Sequence, residues 1–100
     1  MPYLRVSVTT WKLDVHGAEV QTSTQKVRDG LIPLLRRLPG FVRYQAAFTG
    51  PRTSVNVYEW ESEAQATAGA QRVIEWLQSS GISQQLDSFD VHSGEVAVSS

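Results

Sequence analysis

FVRYQAAFTGPRTSVNVYEW, residues 41–60, holds two runs of β-branched and aromatic residues on either side of Gly50-Pro51-Arg52. Period-two alternation and a short connection of turn composition predict two antiparallel strands, 41–49 and 53–61, joined as a hairpin. In the first, Val42, Tyr44, Ala46 and Phe48 share one face, with Phe41, Arg43, Gln45 and Ala47 on the other. In the second, Val55, Val57 and Glu59 oppose Asn56, Tyr58 and Trp60.

Both flanks of the hairpin read as helices. Upstream, Ser23 or Thr24 caps a helix with Val27, Leu31, Leu34, Leu35 and Leu38 on one stripe, and Pro39-Gly40 stops it. Gly30 and Pro33 interrupt the pattern, which predicts either one helix kinked near 29–33 or a loop followed by a short helix. Downstream, Ser62 and Gln65 have capping-box spacing, and Ala66, Ala70, Val73, Ile74 and Leu77 form the buried stripe of a helix over 63–77. Ser79-Ser80-Gly81 ends it, and 82–86 reads as one short helical turn.

Further out, Leu4, Val6 and Val8 alternate with Arg5, Ser7, Thr9 and Trp11 in an opening strand over 3–12. Residues 13–22 read as a loop. A closing strand over 88–98 alternates Phe89 and Val91, with Gly94 expected to mark a bulge because Val96 and Val98 fall on the opposite parity.

Strand, helix, strand, strand, helix, strand is the split βαβ order. Right-handed crossovers place both helices on one face of a four-stranded antiparallel sheet, a ferredoxin-like α+β domain occupying residues 1–100. Apolar groups on both parities, including Trp11, Phe41 and Phe89, exceed what a solvated face needs. A second copy packed sheet to sheet at about 10 Å covers that face in this reading, giving a homodimeric α+β barrel.

A chain of 100 residues with 41% apolar content has material for one core. The lack of cysteine excludes disulfides, iron–sulfur clusters, cysteine-bearing zinc sites and thiol nucleophiles. No apolar run has signal or membrane-spanning length, so a soluble cytoplasmic protein without a membrane partner is expected. Residues 1–52 carry eight basic and three acidic groups and residues 53–100 one and seven, a split that either colours two solvated faces or helps guide subunits together. Arg36 and Arg37 are the only adjacent basic pair, too little for a nucleic-acid surface.

From Pro39 onward the chain resembles the antibiotic biosynthesis monooxygenase family of dimeric α+β barrels. The likeness rests on Pro39-Gly40-Phe41, on Tyr44, and on Val57-Tyr58-Glu59-Trp60-Glu61-Ser62-Glu63 leading into an acid-rich helix start. It implies a small homodimeric monooxygenase of an aromatic or quinol-like molecule. The same scaffold also suits a non-enzymatic small-molecule-binding or structural dimer. In haem-degrading members a helix histidine holds iron; here the matching region is Ala70-Gln71, neither an iron ligand, so no cofactor is expected.

Trp60, Tyr44 and Tyr58 are candidate substrate-binding walls for a flat aromatic ligand, or else core packing. Trp76, outside the main stripe of its helix, is a candidate lid or dimer contact. Arg5 and Arg43 suggest a paired cationic site for a carboxylate or enolate, or salt bridges across a dimer to Glu59 or Glu95. His92, which shares its parity with Ser88 and Asp90, and Arg43 are candidate catalytic groups assisting deprotonation. His16 lies in the expected loop. Two histidines 76 positions apart, with no local carboxylate cluster, predict no metal site. No serine elbow or phosphate-binding glycine loop is present.

Overall fold

The computed structural model describes residues 1–100. Its elements are β1 (Tyr3–Trp11), α1 (Ala18–Lys26), a π-helical turn (Val27–Leu31), α2 (Ile32–Arg36), β2 (Phe41–Gly50), β3 (Thr53–Trp60), α3 (Glu63–Ser79), a 3-10 turn (Ile82–Gln85) and β4 (Leu86–Glu95). The strands form one antiparallel sheet in the order β2-β3-β1-β4. Each crossover therefore passes over a neighbouring strand, and both helical runs lie on the same face of the sheet. No helix is long and apolar enough to cross a membrane.

The first helical run begins earlier than the sequence predicts. Gly17 is its N-cap, and residues 18–22, expected as loop, form the start of α1. Its inward side combines Val20 with the buried Ser23, so the apolar stripe is broken by a hydroxyl. That hydroxyl is satisfied by the Glu19 carbonyl and the Gln85 side chain, while Thr24 donates to the Val20 carbonyl, so neither residue serves as a cap. The interruption at Gly30 and Pro33 takes the form of the π turn. Pro33 lies in the first turn of α2 and has no amide to donate; the widened turn before it carries the helix through.

α3 starts at the expected cap. Ser62 Oγ accepts the Gln65 amide at 3.3 Å and bonds the Gln65 side chain at 3.0 Å.

Two strand expectations are corrected. A register shift in β2 between Phe41 and Arg43 places Phe41 opposite Trp60, on the same side as Tyr44. The rings of Phe41 and Trp60 meet edge to face at 5.5 Å. The last strand runs Leu86–Glu95, and Gly94 pairs with Leu4 in regular register without a bulge. The irregularity lies instead between Thr10 and Trp11 of β1, where the chain must accommodate Leu86 leaving the 3-10 turn.

These registers give the sheet two distinct faces. Beneath the helices lie Arg5, Ser7, Thr9 and Trp11 of β1, with their partners Tyr58, Asn56 and Ser54 on β3. Leu4, Val6 and Val8, the more apolar side of β1, point the other way, beside Val55 and Val57. Under the helices, Leu31, Leu35, Tyr58, Trp60, Ala66 and Val73 form one buried cluster, and Trp11, Val15, Val20 and Ile82 form a second.

Candidate functional site

Residues of both clusters line a cavity of about 90 Å³ between the sheet and α3. Its floor is Arg5, Ser7, Thr9 and Trp11, four alternate residues of one strand, which extend over about 20 Å. Tyr44, Asn56, Tyr58 and Trp60 continue the floor across β2 and β3, and Ala70, Val73, Ile74 and Leu77 of α3 roof it. A cleft of about 360 Å³ adjoins it and shares Ile74, Leu77, Leu86 and Phe89 as walls. The inner chamber alone is smaller than the roughly 150 Å³ cavity known to hold a benzene ring, so a fused-ring ligand must also occupy the cleft.

The small residues of α3 set the height of the roof. A Cβ added at Gly69 would overlap the six-membered ring of Trp60. Gly69, with Ala66 and Ala70, therefore provides the slot in which the indole lies, and Trp60 is only 1% exposed.

Polar groups are few and ordered. Tyr44 donates its hydroxyl hydrogen to Asn56 Oδ1 at 2.9 Å, and Asn56 Nδ2 reaches Thr9 Oγ1 at 3.5 Å, a ladder running from β2 to β1. Trp11 Nε1 donates to Ser54 Oγ at 3.0 Å. Trp60 Nε1 is buried without a partner. Arg5 lines the cavity half-buried and forms no ion pair within the chain.

The Tyr44 and Tyr58 rings lie 4.8 Å apart. Burial pushes the Tyr44 phenol up from 10.0 to about 12. Burial raises Tyr58 further, with Tyr44 adding to the effect and the positive charge of Arg5 opposing it. Both are neutral phenols near pH 7. Because their folded-state values are raised, the stability they confer is complete below pH 10 and is lost as pH climbs through the folded values. Alkaline denaturation followed by circular dichroism is expected to show this decline, approaching about 3 kcal/mol for Tyr44 at about 1.4 kcal/mol per tenfold change in proton affinity. Tyr44→Phe should remove its share, whereas a wild-type profile flat from pH 10 to 12 would contradict burial of the phenols.

Of the residues singled out from sequence, Tyr44, Tyr58 and Trp60 meet in this cavity. Trp76 does not line it. Its indole lies against Gly30 of the π turn, where an added Cβ would approach to 2.9 Å, and beside an outer groove shared with Lys26 and Asp29. Arg43 and His92 lie on the open sheet face, opposite Glu59 and Val6 respectively. Arg43 pairs with Glu59 of its own chain at 3.0 Å. Arg5 and Arg43 thus occupy opposite faces and form no joint cationic site. Asn56 is the cavity residue that sequence reasoning passed over; its shared parity with Tyr58 and Trp60 was the available signal.

Among solved structures the chain is similar to SnoaB, a cofactor-independent oxygenase from Streptomyces nogalater, with 17% identity over 98% of this chain and 95% of that one, TM-score 0.71. It is similar to a monooxygenase from the gene ActVA-Orf6 of Streptomyces coelicolor, solved in complex with Nanaomycin D, with 16% identity over 97% and 88%, TM-score 0.72. A dimeric ferredoxin-like protein from an uncultured marine organism matches at 12% identity over 99% and 98%, TM-score 0.78. No protein-family model and no curated protein sequence matches the chain. The chain has the ferredoxin-like β-α-β-β-α-β fold, the architecture it shares with these oxygenases.

Proposed function

We propose that this protein is a cofactor-independent monooxygenase of the antibiotic biosynthesis monooxygenase kind, acting on a planar aromatic or quinol-like molecule. The observation that carries the reading is the aromatic-walled cavity with Arg5 left unpaired in its lining. The likeness in fold to SnoaB and to the ActVA-Orf6 monooxygenase supports it.

The cavity lining holds no histidine, carboxylate or lysine, so the substrate must itself be acidic. A ring methylene activated by a neighbouring carbonyl meets that need as its enol. Arg5 favours the enolate over the neutral form, and the proton passes to water. The enolate gives one electron to dioxygen, and the substrate radical and superoxide then join at the methylene carbon. The hydroperoxide formed loses water and leaves a carbonyl. The methylene carbon supplies all four electrons that dioxygen takes up, one oxygen atom stays in the product and the other leaves as water.

The protein works as a homodimer in this reading. The chain exposes 6196 Å², more than the roughly 5,600 Å² typical of a monomer of this mass. The excess fits an uncovered sheet face of Leu4, Val6, Val8, Val55 and Val57. Arg43 and His92 would then lie at the junction of the two sheets, and Trp76 on the outer, helical layer.

Oxygen uptake with a panel of anthrones and naphthoquinols tests the activity. One dioxygen consumed per carbonyl formed, without added cofactor, is expected, with kcat/KM at least about tenfold lower in Arg5→Met. Binding of the whole panel without turnover of any member would instead favour a non-enzymatic ligand-binding dimer, the reading to which the lack of a cavity base points.

A further inference from the structure

We infer that the cavity selects its ligand as an anion, a planar aromatic molecule whose ionised oxygen is held by Arg5. The inference rests on the cavity being the ligand site and names the class of molecule that enters it.

The charge of the chamber is one-sided. Arg5 brings a guanidinium that meets no carboxylate, whereas Arg43, on the opposite face, is neutralised by Glu59. Asn56 Oδ1 is occupied by the Tyr44 hydroxyl, so the amide turns its N–H side toward Thr9. Arg5 is the one charged group in a lining that is otherwise apolar or neutral. A cation partly withdrawn from water without a partner is costly. An anionic oxygen relieves that cost.

The tyrosines do not supply that negative charge from within. Tyr58 of β3 sits directly opposite Arg5 of β1, but burial keeps its phenol protonated. The charge must therefore arrive with the ligand. Phenolate, enolate and carboxylate share the required oxygen chemistry, and fused rings fit the chamber with its adjoining cleft.

Two matched probe pairs test this without relying on turnover: 7-hydroxycoumarin against 7-methoxycoumarin, and 2-naphthoate against 2-naphthamide. Bound 7-hydroxycoumarin, followed by its absorption across a pH titration, is expected to ionise about 1–3 pH units lower than the free dye. Calorimetry should show 2-naphthoate binding at least about tenfold more tightly than 2-naphthamide if carboxylates are accepted, whereas preference confined to the coumarin pair would identify phenolate or enolate as the natural group. Arg5→Met should abolish the ionisation shift and equalise affinities within each pair, and Arg5→Lys should retain part of the preference. Circular dichroism would establish that both variants are folded; if Arg5→Met is not, the wild-type comparisons and Arg5→Lys still decide. Equal wild-type binding of charged and neutral members in both pairs would overturn the anion preference while leaving the ligand site standing. Failure of all four probes to bind would overturn the ligand site itself.

Discussion

Trp60→Ala is expected to lower the free energy of unfolding by about 3–5 kcal/mol, read from the urea midpoint at unchanged slope. The side chain is 1% exposed and packs against Phe41 and Gly69. Its removal opens a hole continuous with the cavity, and the neighbouring backbone, held in the sheet, has little freedom to close it. The indole N–H has no partner, so no hydrogen bond is lost and the cost arises from packing. Gly69→Ala supplies the reciprocal test. In the wild-type background its new methyl meets the Trp60 ring and should cost about 1–3 kcal/mol. In the Trp60→Ala background that penalty should disappear, since the slot is empty. Additive losses in the double variant would show that the two residues do not share this space.

Val6→Asp is expected to abolish self-association while leaving the protomer folded. Val6 points away from the helices, opposite Val57 on one side and His92 on the other. A carboxylate there is solvated in a lone protomer but is stripped of water when a second sheet covers it, at a cost of several kcal/mol at each of two symmetric positions. Association should weaken more than about a thousandfold. Sedimentation velocity at micromolar concentration should find wild type at twice the 11.1 kDa chain mass and the variant at the single mass. A wild-type protein sedimenting as a lone chain would overturn the covered-face reading.

The order of elements was legible because their signals are local. Alternation in β1 and β3, the Ser62 cap and Pro39-Gly40 each act within a few residues and need no tertiary knowledge. The start of α1 was illegible because Ser23 is buried through a bond to Gln85, sixty-two positions away in the chain. The position of Phe41 was illegible because one irregular residue pair in β2 inverts the parity that a strict period-two reading assigns.

For the candidate site, the same logic separates what was visible from what was not. Tyr44, Tyr58 and Trp60 were visible together because β2 and β3 form a hairpin whose pairing follows from the turn. Arg5 and Arg43 looked like a pair because each lies on a strand face with polar neighbours. Which face receives the helices depends on the whole sheet, and β1 turns its more polar side inward. A side bearing Ser7 and Thr9 suits a chamber for a polar-tipped ligand better than a dry core.

That inward turn makes β1 a strand with two unrelated duties on alternate residues. Odd positions 5 to 11 form the chamber floor, and even positions 4 to 8 form the outer surface. A substitution at one parity can reshape the ligand it admits while the partner-facing side stays as it was, so the two properties can drift separately. A single-residue insertion just before Arg5 would be far more damaging than any exchange. It would move valines into the chamber and the arginine out of it, ending both properties at a stroke.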